Sequence, residues 1–262
     1  MSGGCVLSDY TKFIANVKQK TGIDLSLYKE AQMKRRLTSL YEKRGCESFT
    51  EYFELIRNDP SRMDEFLDRM TINVSEFYRN FQRWEILDQK IIPQLLGQSK
   101  KLKCWSAACS TGEEPYSMAM VLANHIPLRD LTISATDLDA SVLEKAKVGL
   151  YAERSLKEVP LPIKQKYFTQ EGQFFQVKDD VKRTVIFKQH NLLEDPYGQR
   201  FNLIVCRNVM IYFTEEAKHQ IYTNFAKALE PGGILFVGST EQIFSPEKYG
   251  LVSEDTFFYK KI

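Results

Sequence analysis

The sequence predicts an α/β protein: a doubly wound, mostly parallel sheet preceded by an all-helical segment and interrupted by a small antiparallel β-subdomain. Three observations predict it. Residues 8 to about 96 carry helical periodicity only, whereas from Leu102 onward strand-like apolar runs alternate with helical patterns. Within that alternation, two strand-like runs at 168–189 lie too close together to hold a crossover helix.

The helical part opens with "SDYTKFIANVKQKTG" and "LSLYKEAQMKRRLTSLYEKRG", each running to a glycine, the residue that most readily takes the left-handed conformation closing a helix. Shorter helices follow around "SFTEYFELIRN" and "PSRMDEFLDRM". The alternating part pairs "LKCWSA" with "EEPYSMAMVLANHI", "LTISATD" with "DASVLEKAKVGL" and "FNLIVC" with "TEEAKHQIYTNFAKALE", then adds "GILFVGS". Strand and helix in turn imply right-handed crossovers and a parallel sheet. "LVSEDTFFYKK" reads as a closing strand, and "QFFQVKDDVKRTVIFKQ" as an antiparallel excursion around a Lys-Asp-Asp turn. The expected domains are 1–85, helical and substrate-docking, and 86–262, with 168–189 inserted as the β-subdomain.

Composition narrows the function classes. At 262 residues and 43% hydrophobic, the chain has material for a substantial core, and its net charge of +2 gives no global sign of nucleic-acid or membrane binding. No apolar run has the length of a signal peptide or a membrane span. Five cysteines without a CxxC pair fit a reducing cytoplasm, and three scattered histidines offer no metal constellation, so no metal is expected.

The stretch "CWSAACSTGEEPYSMAM" at 104–120 occupies the first strand-to-helix turn, beside which open α/β sheets bind their ligands. A phosphate site there would leave bare backbone N–H groups at the helix start. Here Glu113 and Glu114 stand in the first helical turn, ahead of Pro115; they favour the helix dipole themselves and repel a pyrophosphate. Neither GxxxxGK[ST] nor GxGxxG is present. A cationic ligand without phosphates, S-adenosylmethionine, fits better. The pattern acidic-x-G-x-G-x-G of class I enzymes using that cofactor places Ser106, Ala108, Ser110 and Gly112 on its key positions, the three departures all being small. Taken alone, a structural tight turn explains the stretch equally well.

Asp137 ends the second strand 25 residues past Gly112, near the ~20-residue spacing of an acid that holds ribose hydroxyls. A helix cap is the other reading, for which Asp139 is the better candidate. "FNLIVCRNVMIYF" brings Arg207, Asn208 and Tyr212 to the carboxyl edge of the sheet. The [DN]PP[YF] motif that receives an NH₂ nucleophile at this place is missing, which favours a nucleophile needing no such acceptors.

"TINVSEFYRN", "WSAACSTGEEPYS", "ATDLD", "HNLL", "CRNVMIYF" and "GILFVGSTEQI", in that order, resemble the CheR-type chemotaxis receptor glutamate methyltransferases from about Leu25 to the C-terminus. The resemblance implies a class I S-adenosylmethionine-dependent methyltransferase domain and methyl transfer to glutamate side chains of membrane chemoreceptors, releasing S-adenosylhomocysteine. It further implies a cytoplasmic enzyme recruited to those receptors, expected to be a monomer and to insert into no membrane. Carried over position by position, the cofactor contacts are Asn73, Ser75, Arg79, Glu114, Asp137, Asn191, Leu192, Arg207 and Asn208. Arg79 and Tyr212 are the catalytic candidates, Tyr212 beside the reacting methyl. The hairpin "QEGQFFQVKDDV" is shorter than the glycine-containing loop of members that dock on a receptor's C-terminal pentapeptide. The sequence thus leaves tether binding open, whereas receptor methylation is implied either way.

A glutamate side chain, with pKa near ~4.3, is already ionised at neutral pH, so no general base is required. The helix expected over 27–44 carries six basic residues against two acidic ones, and Lys29, Arg36 and Lys43, spaced by seven, form a stripe with Arg35 close by. The acidic helices of chemoreceptors are the partner such a stripe would dock. A solvated face is the other reading, and a nucleic-acid patch, a third, is weakened by the lack of interleaved aromatics; no nucleic-acid partner is expected.

Overall fold

The computed structural model describes residues 8–71 and 73–262. The chain divides into two compact units, Met1–Ile72 with Tyr212–His219, and Asn73–Ile211 with Gln220–Ile262.

The first unit contains α1 (Asp9–Thr21), α2 (Glu30–Lys43), α3 (Phe49–Ile56) and α4 (Pro60–Met70). Ser8, Ser48 and Asp59 cap α1, α3 and α4 by accepting backbone N–H bonds, and Gly22, at φ 77°, closes α1. The core forms around Phe13, fully buried, whose ring lies 5.3 Å from Phe49 and 5.9 Å from Phe66. The helix expected over 27–44 begins later. Leu25–Leu27 form a separate 3₁₀ turn, and Lys29 is extended. The cause is a tertiary pairing: Tyr28 bridges antiparallel to Phe213, Lys29 N–H donates to the Tyr212 carbonyl at 2.9 Å, and Thr214 N–H donates to the Leu27 carbonyl at 2.9 Å. Backbone groups committed to a neighbouring strand segment are unavailable to a helix.

The second unit begins with a long helical run, α5 (Phe81–Ile86), a π turn (Leu87–Ile91) and α6 (Ile92–Gln98). There follow β1 (Cys104–Ala107), α7 (Glu113–Leu122), β2 (Ile133–Asp137), α8 (Ala140–Val148), β3 (Leu150–Ala152), α9 (Leu161–Tyr167), β4 (Phe168–Glu171), β5 (Phe174–Val177) and α10 (Asp179–Lys182). The chain closes with β6 (Val185–Gln189), β7 (Phe201–Cys206), α11 (Glu215–Ala228), β8 (Leu229–Val237), β9 (Leu251–Asp255) and β10 (Phe258–Lys261). The main sheet has the order β6-β2-β1-β7-β8-β10-β9. Strands β6 to β8 pair in parallel and β10 runs antiparallel to both neighbours. Strand order reverses between β1 and β7, so the crevice of the fold opens past their carboxyl ends.

Three expectations are corrected. The closing strand is a hairpin: β9 and β10 turn at Thr256 and Phe257, the latter at φ 70°. The second arm of the expected excursion is no hairpin partner of the first, because β6 hydrogen-bonds in parallel along all of β2, residue for residue from Ile133↔Val185 to Asp137↔Gln189. The Lys-Asp-Asp turn starts α10, and the small sheet is instead β3-β5-β4, spanning 150–177 where 168–189 is expected. The boundary between the units falls at 72 and not after 85. Residues 73–80 belong to the second unit because Phe77 is fully buried there, edge-on to Tyr151 at 4.8 Å and Phe168 at 5.0 Å.

Candidate active site

The turn after β1 takes the left-handed conformation at alternate residues, Ala108 (φ 59°), Ser110 (φ 49°) and Gly112 (φ 95°). Alanine and serine thus do what glycine would do, at a steric cost of about 1–2 kcal/mol each. Gly112 is different, since a Cβ there would lie 2.8 Å from the Ala146 Cβ and 3.0 Å from the Tyr151 hydroxyl. Gly112→Ala is therefore expected to cost about 2–4 kcal/mol of stability. Ser110→Gly, which relieves strain while loosening the unfolded chain, should leave the urea midpoint nearly unchanged. Equal midpoints for the two variants would contradict this assignment.

The two glutamates at the head of α7 have separate surroundings. Glu113 is buried and accepts from the Thr111 hydroxyl at 2.7 Å and from Ser75, and burial raises its pKa. Glu114 keeps part of its surface open and accepts from the Ser106 hydroxyl at 2.8 Å. Desolvation pushes its pKa up to about 7, opposed first by the charge of Arg207. Asp137, at the end of β2, accepts from the backbone N–H of Ser110 at 2.8 Å and of Asp139 at 3.0 Å, and burial raises its pKa. Asp139 caps α8 through Ser141 N–H at 2.8 Å, and Asn73 donates to its other oxygen at 3.1 Å.

Arg207 leaves the end of β7 almost fully buried, its guanidinium 4.7 Å from the Phe236 ring and 5.5 Å from that of Trp84. It donates to the Arg79 carbonyl at 2.8 Å and the Asn80 side-chain oxygen at 3.2 Å. Burial lowers its pKa, opposed by Glu114 and Glu241. Arg207 thereby anchors the segment that presents Arg79. Asn191 and Leu192 follow β6 in a tight turn, in which the Asn191 side chain accepts from Leu193 N–H at 3.0 Å and Leu192 is buried.

Glu241 is a residue that the sequence reading misses as a site group. It is buried and accepts three backbone N–H bonds, from Asn208 at 2.6 Å, Met210 at 2.7 Å and Gly238 at 2.8 Å. Asn208 is held at φ 62°. Burial raises the carboxyl pKa, opposed by those N–H groups. The available signal is an acid in "GSTEQI" directly after a strand buried at its end.

The remaining candidates lie in the first unit, where α2 and α4 flank a groove lined by Arg35, Arg36, Lys43, Arg44, Arg69 and Tyr212, with Glu65 as its acid. Arg44 is ion-paired with Glu65. Lys43 and Arg35 are exposed, whereas Arg36 is half-buried, so the stripe is not uniformly solvated. Lys29 is absent from the groove lining, its backbone being taken up with Tyr212.

Residues 8–71 match the family model described as "CheR methyltransferase, all-alpha domain", and residues 73–258 match "CheR methyltransferase, SAM binding domain". The chain belongs to the CheR methyltransferase family. This CheR-family chain is similar to the chemotaxis protein methyltransferase of Listeria innocua, at 45% identity over 254 residues covering 97% of each chain. Chemotaxis protein methyltransferase 1 of Pseudomonas aeruginosa is 34% identical over 259 residues, 94% of each chain. The Borreliella burgdorferi chemotaxis protein methyltransferase is 34% identical over 249 residues, 90% of this chain and 88% of its own. The chain is thus a methyltransferase of the chemotaxis type that uses S-adenosylmethionine.

The second unit of this CheR-family chain has the donor set that such a cofactor requires. A partly open carboxylate, Glu114, makes no salt bridge among the described residues and feels Arg207 and Arg79 only through space, and the Ser110 hydroxyl and the Arg207 Nε are buried without a protein partner. A carboxylate for a cation and unmatched polar atoms for a polar ligand are what an adenosyl sulfonium calls for. Among the described residues, no helix is long and apolar enough to cross a membrane. Cys46, Cys104, Cys109 and Cys206 are buried free thiols, and Cys5 lies outside the described residues.

Proposed function

We propose that this chain methylates glutamate side-chain carboxylates of membrane chemoreceptors, forming glutamyl methyl esters, and that it acts as a cytoplasmic monomer on their acidic helices. The cationic groove between α2 and α4, with Tyr212 in its lining, is the observation that carries the substrate class. A surface with five basic residues against one acid attracts an acidic helix and speeds its encounter. S-adenosylmethionine, when bound, supplies an electrophilic methyl group.

The chain's own residues bind, orient and exclude water. Asn73, Ser75, Glu114, Asp137, Asn191, Leu192, Arg207 and Asn208 hold the cofactor, Glu114 answering its positive charge and Asp137 its ribose. Arg79 orients the substrate carboxylate, and Tyr212 shapes the methyl pocket. Since the substrate carboxylate is ionised at neutral pH, the chain need supply no base, and its contribution is alignment in a dry site. Arg35 and Lys43 are the exposed docking cations of that groove, Arg36 lies among them against Tyr212, and Lys29 lies outside the lining.

Incubation with methyl-labelled cofactor and receptor-rich membranes should give protein-bound label that alkali releases as methanol. Label that survives alkali would replace the ester reading with an amide or amine product.

A further inference from the structure

We propose that Arg36 is a positioning residue for Tyr212, holding the tyrosine ring in the orientation that turnover needs while its neighbours meet the substrate. This rests on the reading of Tyr212 and of the groove given above. The Arg36 guanidinium lies over the Tyr212 ring, 5.6 Å from its centroid, within the range of a cation–π contact. The same guanidinium donates to the Met70 carbonyl at the end of α4. It is thus hydrogen-bonded to the end of α4 and placed over the tyrosine ring, and its half-buried state follows from both contacts.

The backbone under Tyr212 is independently fixed. Lys29 N–H reaches the Tyr212 carbonyl, Tyr28 and Phe213 bridge with rings 4.9 Å apart, and Thr214 N–H reaches Leu27. With residues 212–214 tied to 27–29 by backbone bonds, Arg36 meets the Tyr212 ring above a fixed backbone. A guanidinium can donate in its plane and stack with its face at the same time; an ammonium is a point charge and cannot do both. Arg35, one residue earlier, is exposed and lines the same groove. One groove therefore contains cations free for an acidic substrate and one cation committed to the tyrosine. A substrate that shifts Arg36 also shifts Tyr212, which couples docking to turnover.

The test separates KM from kcat with purified receptor cytoplasmic fragments as substrate. Arg36→Lys, which keeps the charge, is expected to lower kcat about tenfold (~1.4 kcal/mol) with KM changed less than twofold. Arg35→Ala should show the opposite split, acting chiefly on KM. In a Tyr212→Leu background, which removes the ring, Arg36→Lys should lose most of its effect, as two groups acting as a unit do. A readout independent of turnover is 3-fluorotyrosine placed at position 212, whose fluorine resonance should move on Arg36→Lys. Should that variant unfold, Arg36→Gln, which retains a planar donor for Met70, serves the same measurements. A raised KM with kcat intact and an unmoved resonance would make Arg36 an ordinary docking cation and overturn the proposal. If Tyr212→Leu leaves kcat unchanged, the tyrosine's role falls and the proposal with it, while an alkali-labile product would leave the glutamate reading standing.

Discussion

Glu241→Ala is expected to lower the unfolding free energy by about 3–5 kcal/mol and to weaken cofactor binding with it. Its carboxylate accepts from the N–H groups of Asn208, Met210 and Gly238 at 2.6–2.8 Å. Each buried donor left without an acceptor costs about 1–3 kcal/mol, and water entering the vacated space recovers part of it. The same three bonds hold the segment after β7, including Asn208 at φ 62°, against the end of β8. Glu241→Gln keeps one acceptor oxygen but turns an NH₂ toward a donor, so about 2 kcal/mol of the loss should remain. Gly238→Ala should disturb the same junction, because a Cβ there would lie 2.8 Å from the Asn208 nitrogen. Urea titration without cofactor measures these effects, and a Glu241→Ala protein within about 1 kcal/mol of the parent would show that the N–H groups find other partners.

Glu114→Gln is expected to weaken cofactor binding about 10- to 100-fold near pH 7.5, the worth of about 1.5–3 kcal/mol for a hydrogen bond to a charged group. The pH dependence follows from the Glu114 pKa, pushed up to about 7 by burial. Only the ionised carboxylate attracts a cation, so below pH 7 binding must expel a proton, and affinity falls about tenfold per pH unit. Above neutrality the cofactor's own amino group, ordinarily near ~7.7–8.0, loses its charge. Affinity should therefore peak between the two values, and the glutamine variant should lose the acidic limb of the curve. Calorimetric titrations from pH 6 to 8 test both parts. A parent protein with flat affinity over that range, or a glutamine variant with undiminished affinity, would remove Glu114 from the cofactor's cation.

Much of the second unit is legible in the sequence because strand and helix periods are local properties. "FNLIVC" is buried at every residue but Asn202, which leaves a short apolar run, and "LTISATD" alternates apolar and polar residues as a strand does. The runs that mislead are those where local pattern is compatible with two partners. "TVIFKQ" suits an antiparallel hairpin as well as a parallel edge, and only the open side of β2 decides in favour of the edge. Likewise "LVSEDTFFYKK" reads as one strand until its two halves pair with each other, with β10 next to β8.

The candidate site divides in the same way. The residue types at the head of α7 already disfavour a phosphate ligand in the linear sequence, since two carboxylates at a helix start repel an anion. The necessity of Gly112, the buried grip of Glu241 on three N–H groups and the cation–π contact of Arg36 with Tyr212 are tertiary facts. By itself the sequence determined the fold class and most of its helices and strands, because these depend on neighbours within a few residues. The structure alone decided which strand pairs with which, and which arginine is committed to a tyrosine. Both depend on backbone and ring contacts between residues far apart in the chain.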